Sequence, residues 1–130
     1  MFDASGNQVA SVAKRDPIGV AVYQDLLIVT GGVCFFFFFF FFLNNFPPKK
    51  SDSTISAFNR TSLSFVNVWN SARTLQHGAG IAVNGANNTL FVVEQDTSSV
   101  LLFDATSGKF AGTFLSNLDD SPEQIFFTSC

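Results

Sequence analysis

Short apolar runs alternate with turn-forming residues along most of the chain. Polar and apolar positions interleave over Ser64–Val68, as in a half-buried β-strand. Val, Ile, Phe and Thr dominate such runs, whereas Gly, Pro, Asn and Asp separate them, which is typical of strands joined by turns. We find no helical period with a capping residue. The pattern predicts an all-β fold with strands over residues 63–69, 80–84, 89–94, 99–103, 109–114 and 124–128.

Three landmarks recur along the chain. The end of a strand and its turn appear in Phe2–Gly6, in Ala57–Thr61 and again around Phe103, and Phe58 and Phe103 lie 45 residues apart. Such a period indicates stacked β units. The other two landmarks are an inner apolar segment and a longer apolar run. We align Pro17–Val22 with Gly78–Val83 and Pro122–Phe127, and Leu26–Val29 with Leu90–Val93. Each full unit then contains four strands.

The unit from His77 to Phe110 resembles the NHL-type (YVTN-like) β-propeller repeat. That family runs Pro-x-Gly-Ile-Ala-Val, a strand ending in Val-Ala-Asp, a strand ending in Phe-Asp, and Gly-Lys-Phe. The chain matches it with Gly80–Val83, Phe103-Asp104 and Gly108–Phe110, but Glu94-Gln95 replaces Ala-Asp and Gly78 replaces the proline. The resemblance implies an incomplete β-propeller of four-stranded antiparallel blades, with 80–84 and 124–128 as successive inner strands equivalent to 19–23.

The length limits how many blades the chain can hold. At 45 residues per unit, 130 residues supply fewer than three blades, whereas closed propellers have at least four. We therefore expect a fragment of a longer repeat protein. The alternative is a partial propeller whose copies assemble into a ring. Unpaired strand edges and bare blade faces promote aggregation, so self-association through exposed blade edges is also expected.

The segment Val33–Lys50 has no counterpart in the other unit and contains eight consecutive phenylalanines. From Leu27 to Ile55 the chain advances 28 residues, against 10 from Leu90 to Val100, and the excess of 18 equals the length of this segment. The predicted organisation is thus a partial blade over 1–32, a low-complexity insertion over 33–50, and blades over 51–130.

Two origins for the insertion stay open. Valine codons begin with GT, one lysine codon ends with AG, and phenylalanine codons form a pyrimidine tract, so a retained intron translated in frame is one hypothesis. The other is a membrane segment over Leu26–Leu43, which is 18 residues without a charge. As a helix this stretch would extend roughly 27 Å, at the short end of what crosses a bilayer.

Composition narrows the classes of partner. Seven basic and ten acidic residues give a net charge of −3 without a basic stripe, so we expect no nucleic-acid partner. Two cysteines, Cys34 and Cys130, do not define a disulfide framework. Asn59 and Asn87 begin Asn-x-Thr triplets, which makes them candidate glycosylation sites in turns. The compartment stays open.

Chemistry-bearing residues are few. His77 is the only histidine; the resemblance implies a place facing the central funnel, where it would contact a ligand, and the alternative is a solvated turn histidine. Asp119, Asp120 and Glu123 are weak candidate ligands for a hard cation. They lack the fixed spacing of a calcium loop, so no metal site and no cofactor is predicted.

Two functions follow from the resemblance. The first is a non-catalytic binding or scaffold module, in which rigid blades present loops to a protein or small ligand. The alternative is a fragment of a metal-dependent propeller hydrolase of the esterase or lactonase type. That enzyme would need carboxylates and an asparagine converging from several blades.

The strand pattern also predicts the side chains that supply most of the buried apolar surface between the sheets. They are Val20, Val22, Ile28, Ile81, Val83, Phe91, Val93, Leu102 and Phe103.

Overall fold

The computed structural model describes residues 17–31, 53–69 and 75–128, which form two four-stranded antiparallel sheets. This part of the chain contains strands and turns but no helix, so the all-β prediction is confirmed. Each sheet is a meander in chain order, and neither sheet is closed on itself. The first sheet comprises β1 (Pro17–Tyr23), β2 (Leu26–Gly31), β3 (Thr54–Asn59) and β4 (Phe65–Trp69), and the second comprises β5 (Gly78–Asn84), β6 (Thr89–Glu94), β7 (Ser99–Asp104) and β8 (Phe110–Leu115).

The strand predicted over residues 124–128 is absent. The chain after β8 returns beside β5 without strand pairing, and one backbone hydrogen bond joins them, from Gly80 N–H to the Glu123 carbonyl oxygen at 2.8 Å. A strand requires a ladder of such bonds. We call residues 121–128 the returning segment.

Both sheets contain the same turn between their third and fourth strands. In the first sheet Asn59 Oδ1 accepts the N–H groups of Thr61 and Ser62 at 3.0 and 2.8 Å. In the second sheet Asp104 Oδ1 accepts those of Thr106 and Ser107 at 3.1 and 2.6 Å. Asn and Asp favour such turns because the side-chain oxygen satisfies backbone donors. The turns lie 45 residues apart, as the repeat predicts.

An aromatic pair repeats on the same spacing. Phe58 packs edge-on against Phe65 with ring centroids 5.9 Å apart, and Phe103 packs edge-on against Phe110 at 5.5 Å. Edge-to-face pairs at such distances are favourable beyond their buried area. The repeated turn and the repeated aromatic pair show that the two sheets share the same local structure at their third and fourth strands.

The spacing count that equates Leu27 with Leu90 is correct, whereas the alignment of Leu26–Val29 with Leu90–Val93 is wrong by one residue. Leu27 pairs with Phe58, and Leu90 pairs with the equivalent Phe103, so Leu27 corresponds to Leu90. The turns before these strands differ in length by two residues, because two residues join β1 to β2 whereas four join β5 to β6.

The first sheet draws its strands from both sides of residues 32–52. Its β2–β3 pairing ends at Gly31 opposite Thr54, and the β6–β7 pairing ends at the equivalent pair of Glu94 opposite Ser99. The connection therefore has 22 residues in the first sheet and four in the second. The excess of 18 agrees with the predicted insertion, whose residues 33–50 lie outside the described part of the chain.

The membrane helix considered over Leu26–Leu43 is wrong in its first third. Residues 26–31 are β2, which pairs with β1 on one side and β3 on the other, and residues 32–43 lie outside the described ranges. Within those ranges no helix has the length and apolar character needed to cross a membrane.

The two sheets pack face to face around a shared core, and their closest contact is between β1 of the first sheet and β5 of the second. We call the surface of the first sheet that contacts the second its packed face, and the opposite surface its open face. The second sheet has a near face toward the first sheet and a far face on the other side. The core between them consists of Tyr23, Ile28, Ile55, Ala57, Trp69, Leu75, Ile81, Leu90, Val92, Leu101, Phe103 and Ala105.

The predicted core between the sheets was partly wrong in both sheets, because Phe91, Val93 and Leu102 lie on the far face of the second sheet. Ile28, Ile81, Phe91, Val93 and Phe103 are buried, whereas Val83 and Leu102 are half-buried. Val20 and Val22, however, are 63% and 52% exposed. Both valines point to the open face, whose central residues Val29 and Phe58 are buried.

We predict that deleting residues 33–50 preserves both sheets. The deletion would leave β2 and β3 joined by four residues, as in the second sheet, and shortening the loop should stabilise the fold by roughly 1.5 kcal/mol through lower closure entropy. Urea unfolding followed by far-ultraviolet circular dichroism measures this. Loss of the β signal in the deletion variant, with the parent folded, would show that the segment is part of the fold.

Candidate functional site

A buried carboxylate organises the entrance to β5. Glu94, at the end of β6, is fully buried. Its Oε2 atom accepts the Gln76 N–H at 2.6 Å, and its Oε1 atom accepts the N–H groups of His77 and Asp96 at 2.7 and 3.3 Å. A carboxylate bonded to backbone donors is well compensated for burial. Glu94 therefore holds the segment before β5 and the turn after β6 in one arrangement.

His77 lies beside this carboxylate, directly before β5. Its backbone is engaged on both sides, because the N–H donates to Glu94 and the carbonyl oxygen accepts the Gln95 N–H at 3.1 Å. Its imidazole is 30% exposed, with Nδ1 3.5 Å from Asp96 Oδ1. This agrees with a partly solvated turn histidine. Contact of His77 with a ligand stays a prediction.

The candidate cation ligands are not gathered into a site. Asp119, Asp120 and Glu123 are exposed, and Glu123 uses its backbone carbonyl to bind Gly80. Across residues 17–31, 53–69 and 75–128 no group of three or more His, Cys, Asp or Glu side chains could hold a metal ion.

The two candidate glycosylation sites differ in accessibility. Asn87 is exposed in the β5–β6 turn, whereas Asn59 is half-buried and its side-chain oxygen is committed to the following turn. Both cysteines lie outside the described residues.

Close backbone contact joins the first sheet to the second at Gly19. A Cβ atom at this position would lie 2.5 Å from the Ala79 carbonyl oxygen and 3.2 Å from Gly80 Cα, so only glycine fits. The fully buried Thr30 hydroxyl accepts the Gly19 N–H at 2.9 Å and donates to that same Ala79 oxygen at 2.5 Å. The Thr30 hydroxyl thus bridges the Gly19 N–H group and the Ala79 carbonyl oxygen.

The second sheet meets the returning segment in the equivalent way at Gly80. A Cβ atom there would lie 2.7 Å from both the Glu123 carbonyl oxygen and Gln124 Cα. In the repeat alignment Gly19 corresponds to Gly80, and Ala79 corresponds to Glu123. Val93 occupies the position equivalent to Thr30 and has no hydroxyl group. The Gly80 N–H donates directly to the Glu123 carbonyl oxygen. Successive units therefore meet through the same pair of repeat positions.

The three inner segments line one recess. Its volume is about 190 Å³, and its walls come from Ile18–Val20 of β1, Gly80 and Ile81 of β5, and Gln124 and Ile125 of the returning segment. A second concavity of about 290 Å³ lies at β1 and β2, between Pro17–Val20, Leu27 and Val29. It is apolar, and Ile18 and Val20 at its edge are exposed.

Two of these features were not predicted. Glu94 was recognised as a departure from the family pattern but not as the anchor of β5. Thr30 was not assigned a role in the packing of the sheets. A glutamate in the place of a family alanine, between buried valines and a turn, is the signal that could have indicated the anchor.

Asp104 is the group whose ionisation is linked to the turn it forms. The Ser107 hydroxyl donates to its Oδ1 at 2.7 Å, and the N–H groups of Ser107 and Thr106 add two further bonds. These bonds favour the charged form, so they lower the pKa of the Asp104 carboxyl.

We predict that Glu94→Gln destabilises the protein by about 1–3 kcal/mol, the cost of leaving buried polar groups unsatisfied. The amide has one acceptor oxygen, and its NH₂ group would face a backbone N–H donor. Urea unfolding measures the loss. Asp96→Asn is the matched control, since Asp96 has a half-exposed side chain and should change stability little. Equal effects of the two substitutions would contradict the role of Glu94.

We also predict that Asp104→Asn lowers stability at neutral pH by less than about 1 kcal/mol, because solvent screens the site. A folded-state pKa below the unfolded value stabilises above the unfolded pKa, and this contribution is lost as pH falls through the folded pKa. The difference between parent and variant should therefore shrink below about pH 4. Thermal unfolding from pH 7 to pH 2 measures it.

Asn59→Asp is the reciprocal control for this prediction. The same turn geometry should give it the pH dependence that Asp104→Asn loses. A difference between parent and Asp104→Asn that stays constant over the whole pH range would contradict the assignment.

Comparison with known proteins adds no assignment. The chain matches no protein-family model, and it has no significant similarity to the curated proteins or the solved structures. The geometry of the two sheets and of the segments between them is therefore the basis on which a function is proposed.

Proposed function

We propose that this chain is a non-catalytic binding or scaffold module built from β-propeller-type blades. The two sheets would be successive blades, and β1, β5 and the returning segment would be successive inner segments. A fold by itself does not define an activity, so the proposal concerns a platform for a protein or small ligand rather than a reaction.

One observation carries the proposal. Gly19 contacts Ala79 and Gly80 in the next unit, and Gly80 contacts Glu123 and Gln124 in the unit after it. The first contact joins two complete sheets, and the second joins a sheet to a segment at the equivalent repeat position. Repetition of one contact along the chain supports ordered stacking of like units, as in repeat architectures.

The polar groups near the inner segments support binding rather than catalysis. Glu94 uses both carboxylate oxygens on backbone donors, which is a structural role. The side chains of His77 and Asp96, whose backbone N–H groups both donate to Glu94, are partly exposed. They can contribute polar contacts to a ligand beside the inner segments, in the manner of loops on a rigid scaffold.

A hydrolysis assay tests the non-catalytic assignment. We expect the full chain to hydrolyse neither a phenyl ester nor a γ-lactone above the uncatalysed rate, with Ca²⁺ or Zn²⁺ added. His77→Ala, which removes the only histidine, is the matched control. A metal-dependent rate that His77→Ala abolishes would overturn the proposal in favour of the hydrolase alternative.

A further inference from the structure

The turn between β5 and β6 contains the only Asn-Gly dipeptide of the chain, Asn84-Gly85. β5 ends at Asn84, which pairs with Thr89 at the start of β6. Gly85 is exposed. Across residues 17–31, 53–69 and 75–128, no hydrogen bond engages the Gly85 N–H group. The backbone nitrogen next to the Asn84 side chain is therefore accessible to solvent and uncommitted.

The side-chain carbonyl of Asn84 is held by a backbone donor. Its Oδ1 atom accepts the Ala86 N–H at 3.0 Å. When a nucleophile attacks an amide carbon, negative charge develops on the amide oxygen, and a hydrogen-bond donor already placed there stabilises the transition state. The Ala86 N–H thus lies on the atom where charge would develop if a nucleophile attacked Asn84 Cγ.

Glycine at position 85 favours attack by its own nitrogen. A ring closure onto Asn84 Cγ requires rotation of the backbone on both sides of this nitrogen, and glycine permits backbone conformations that other residues resist. The native turn does not itself require glycine here. A Cβ atom at Gly85 would come no closer than 3.9 Å to its nearest neighbour, the Tyr23 ring.

We propose that Asn84 is a site of spontaneous deamidation. The Gly85 nitrogen bonds to Asn84 Cγ and gives its proton to hydroxide, while Nδ2 takes a proton from water and leaves as ammonia. The resulting ring is a succinimide. Water then opens the ring at either of its carbonyl groups, which yields aspartate on the original backbone or isoaspartate with the backbone running through Cγ. Either product adds one negative charge, and neither depends on the proposed binding or scaffold function.

Asn59 provides an internal comparison. Its Oδ1 atom also accepts the N–H group two residues further on, that of Thr61, at 3.0 Å. The following nitrogen, however, belongs to Arg60, whose N–H donates to the Asp25 carbonyl oxygen at 2.7 Å. Attack at Asn59 would break this bond and move a residue that carries a long side chain. We therefore expect Asn59 to stay intact while Asn84 reacts.

The two products should affect the contact between the sheets differently. The Tyr23 hydroxyl of the first sheet donates to Asn88 Oδ1 in the same turn, and the Asn88 carbonyl oxygen accepts the Ala105 N–H at 2.8 Å. Isoaspartate at position 84 adds one carbon atom to the backbone of the turn, which should displace Asn88 and weaken its contact with Tyr23. Aspartate keeps the backbone and an acceptor oxygen, so it should leave that contact in place.

Peptide mapping of the folded full chain, kept at mildly alkaline pH, tests the reaction. The peptide that contains Asn84 should gain one mass unit and separate into two chromatographic forms, with the change located at Asn84 by fragmentation. Gly85→Ala is the matched variant, because the turn has room for the methyl group. It should react at least about tenfold more slowly, which corresponds to ~1.4 kcal/mol in the barrier.

Thermal unfolding of the separated forms tests the structural consequence. Asn84→Asp reproduces the aspartate product directly and should unfold at the parent temperature, whereas the isoaspartate form should unfold at a lower one. Conversion of Asn59 at the same rate as Asn84, an unmodified Asn84, or equal rates in the parent and Gly85→Ala would each overturn the proposal. An isoaspartate form that unfolds with Asn84→Asp would overturn its effect on the contact between the sheets.

Discussion

The packing of one sheet on the next depends on a close approach of backbones at the inner strands. At Gly19 there is no room for a Cβ atom between β1 and the Ala79 carbonyl oxygen. A side chain there would separate β1 from β5, and the apolar side chains between the sheets would lose their contacts. Glycine accepts such an approach at the cost of backbone entropy in a strand, which the burial of the core offsets.

Buried polar groups complete this approach because every backbone group near it needs a partner. The Thr30 hydroxyl links Gly19 to Ala79, and the Ser53 hydroxyl donates to the Gly31 carbonyl at 3.0 Å while accepting the Gly78 N–H at 2.7 Å. Glu94 satisfies the donors just before β5. A single set of buried oxygens therefore determines where the second sheet begins and how near it lies to the first.

One consequence of this packing is that the two sheets contact each other through non-equivalent faces. The packed face of the first sheet carries Ile28 and Ala57, whereas the near face of the second carries Leu90 and Phe103, whose counterparts Leu27 and Phe58 lie on the open face of the first. The same property explains why the first sheet exposes Val20 and Val22 while the second buries or half-buries their counterparts Ile81 and Val83. Exposed apolar surface of this kind commonly marks an interaction site.

Local sequence determined the strands and turns, because their signals are local. Alternation and turn residues located β5–β8 to within two residues, and the Phe-Asn and Phe-Asp landmarks located the two equivalent turns at Asn59 and Asp104. The repeat spacing also identified the excess of 18 residues between β2 and β3. These features depend on backbone preferences and on period, which are both present in the linear pattern.

Tertiary structure decided burial, pairing and the roles of polar residues. Val20 and Ile81 are equivalent in sequence, and only the presence of a covering sheet makes one buried and the other exposed. Residues 124–128 have a strand-like pattern but pair with none of the described strands. Glu94 became an anchor because folding brings three backbone N–H groups to its carboxylate, and neither composition nor period contains that convergence.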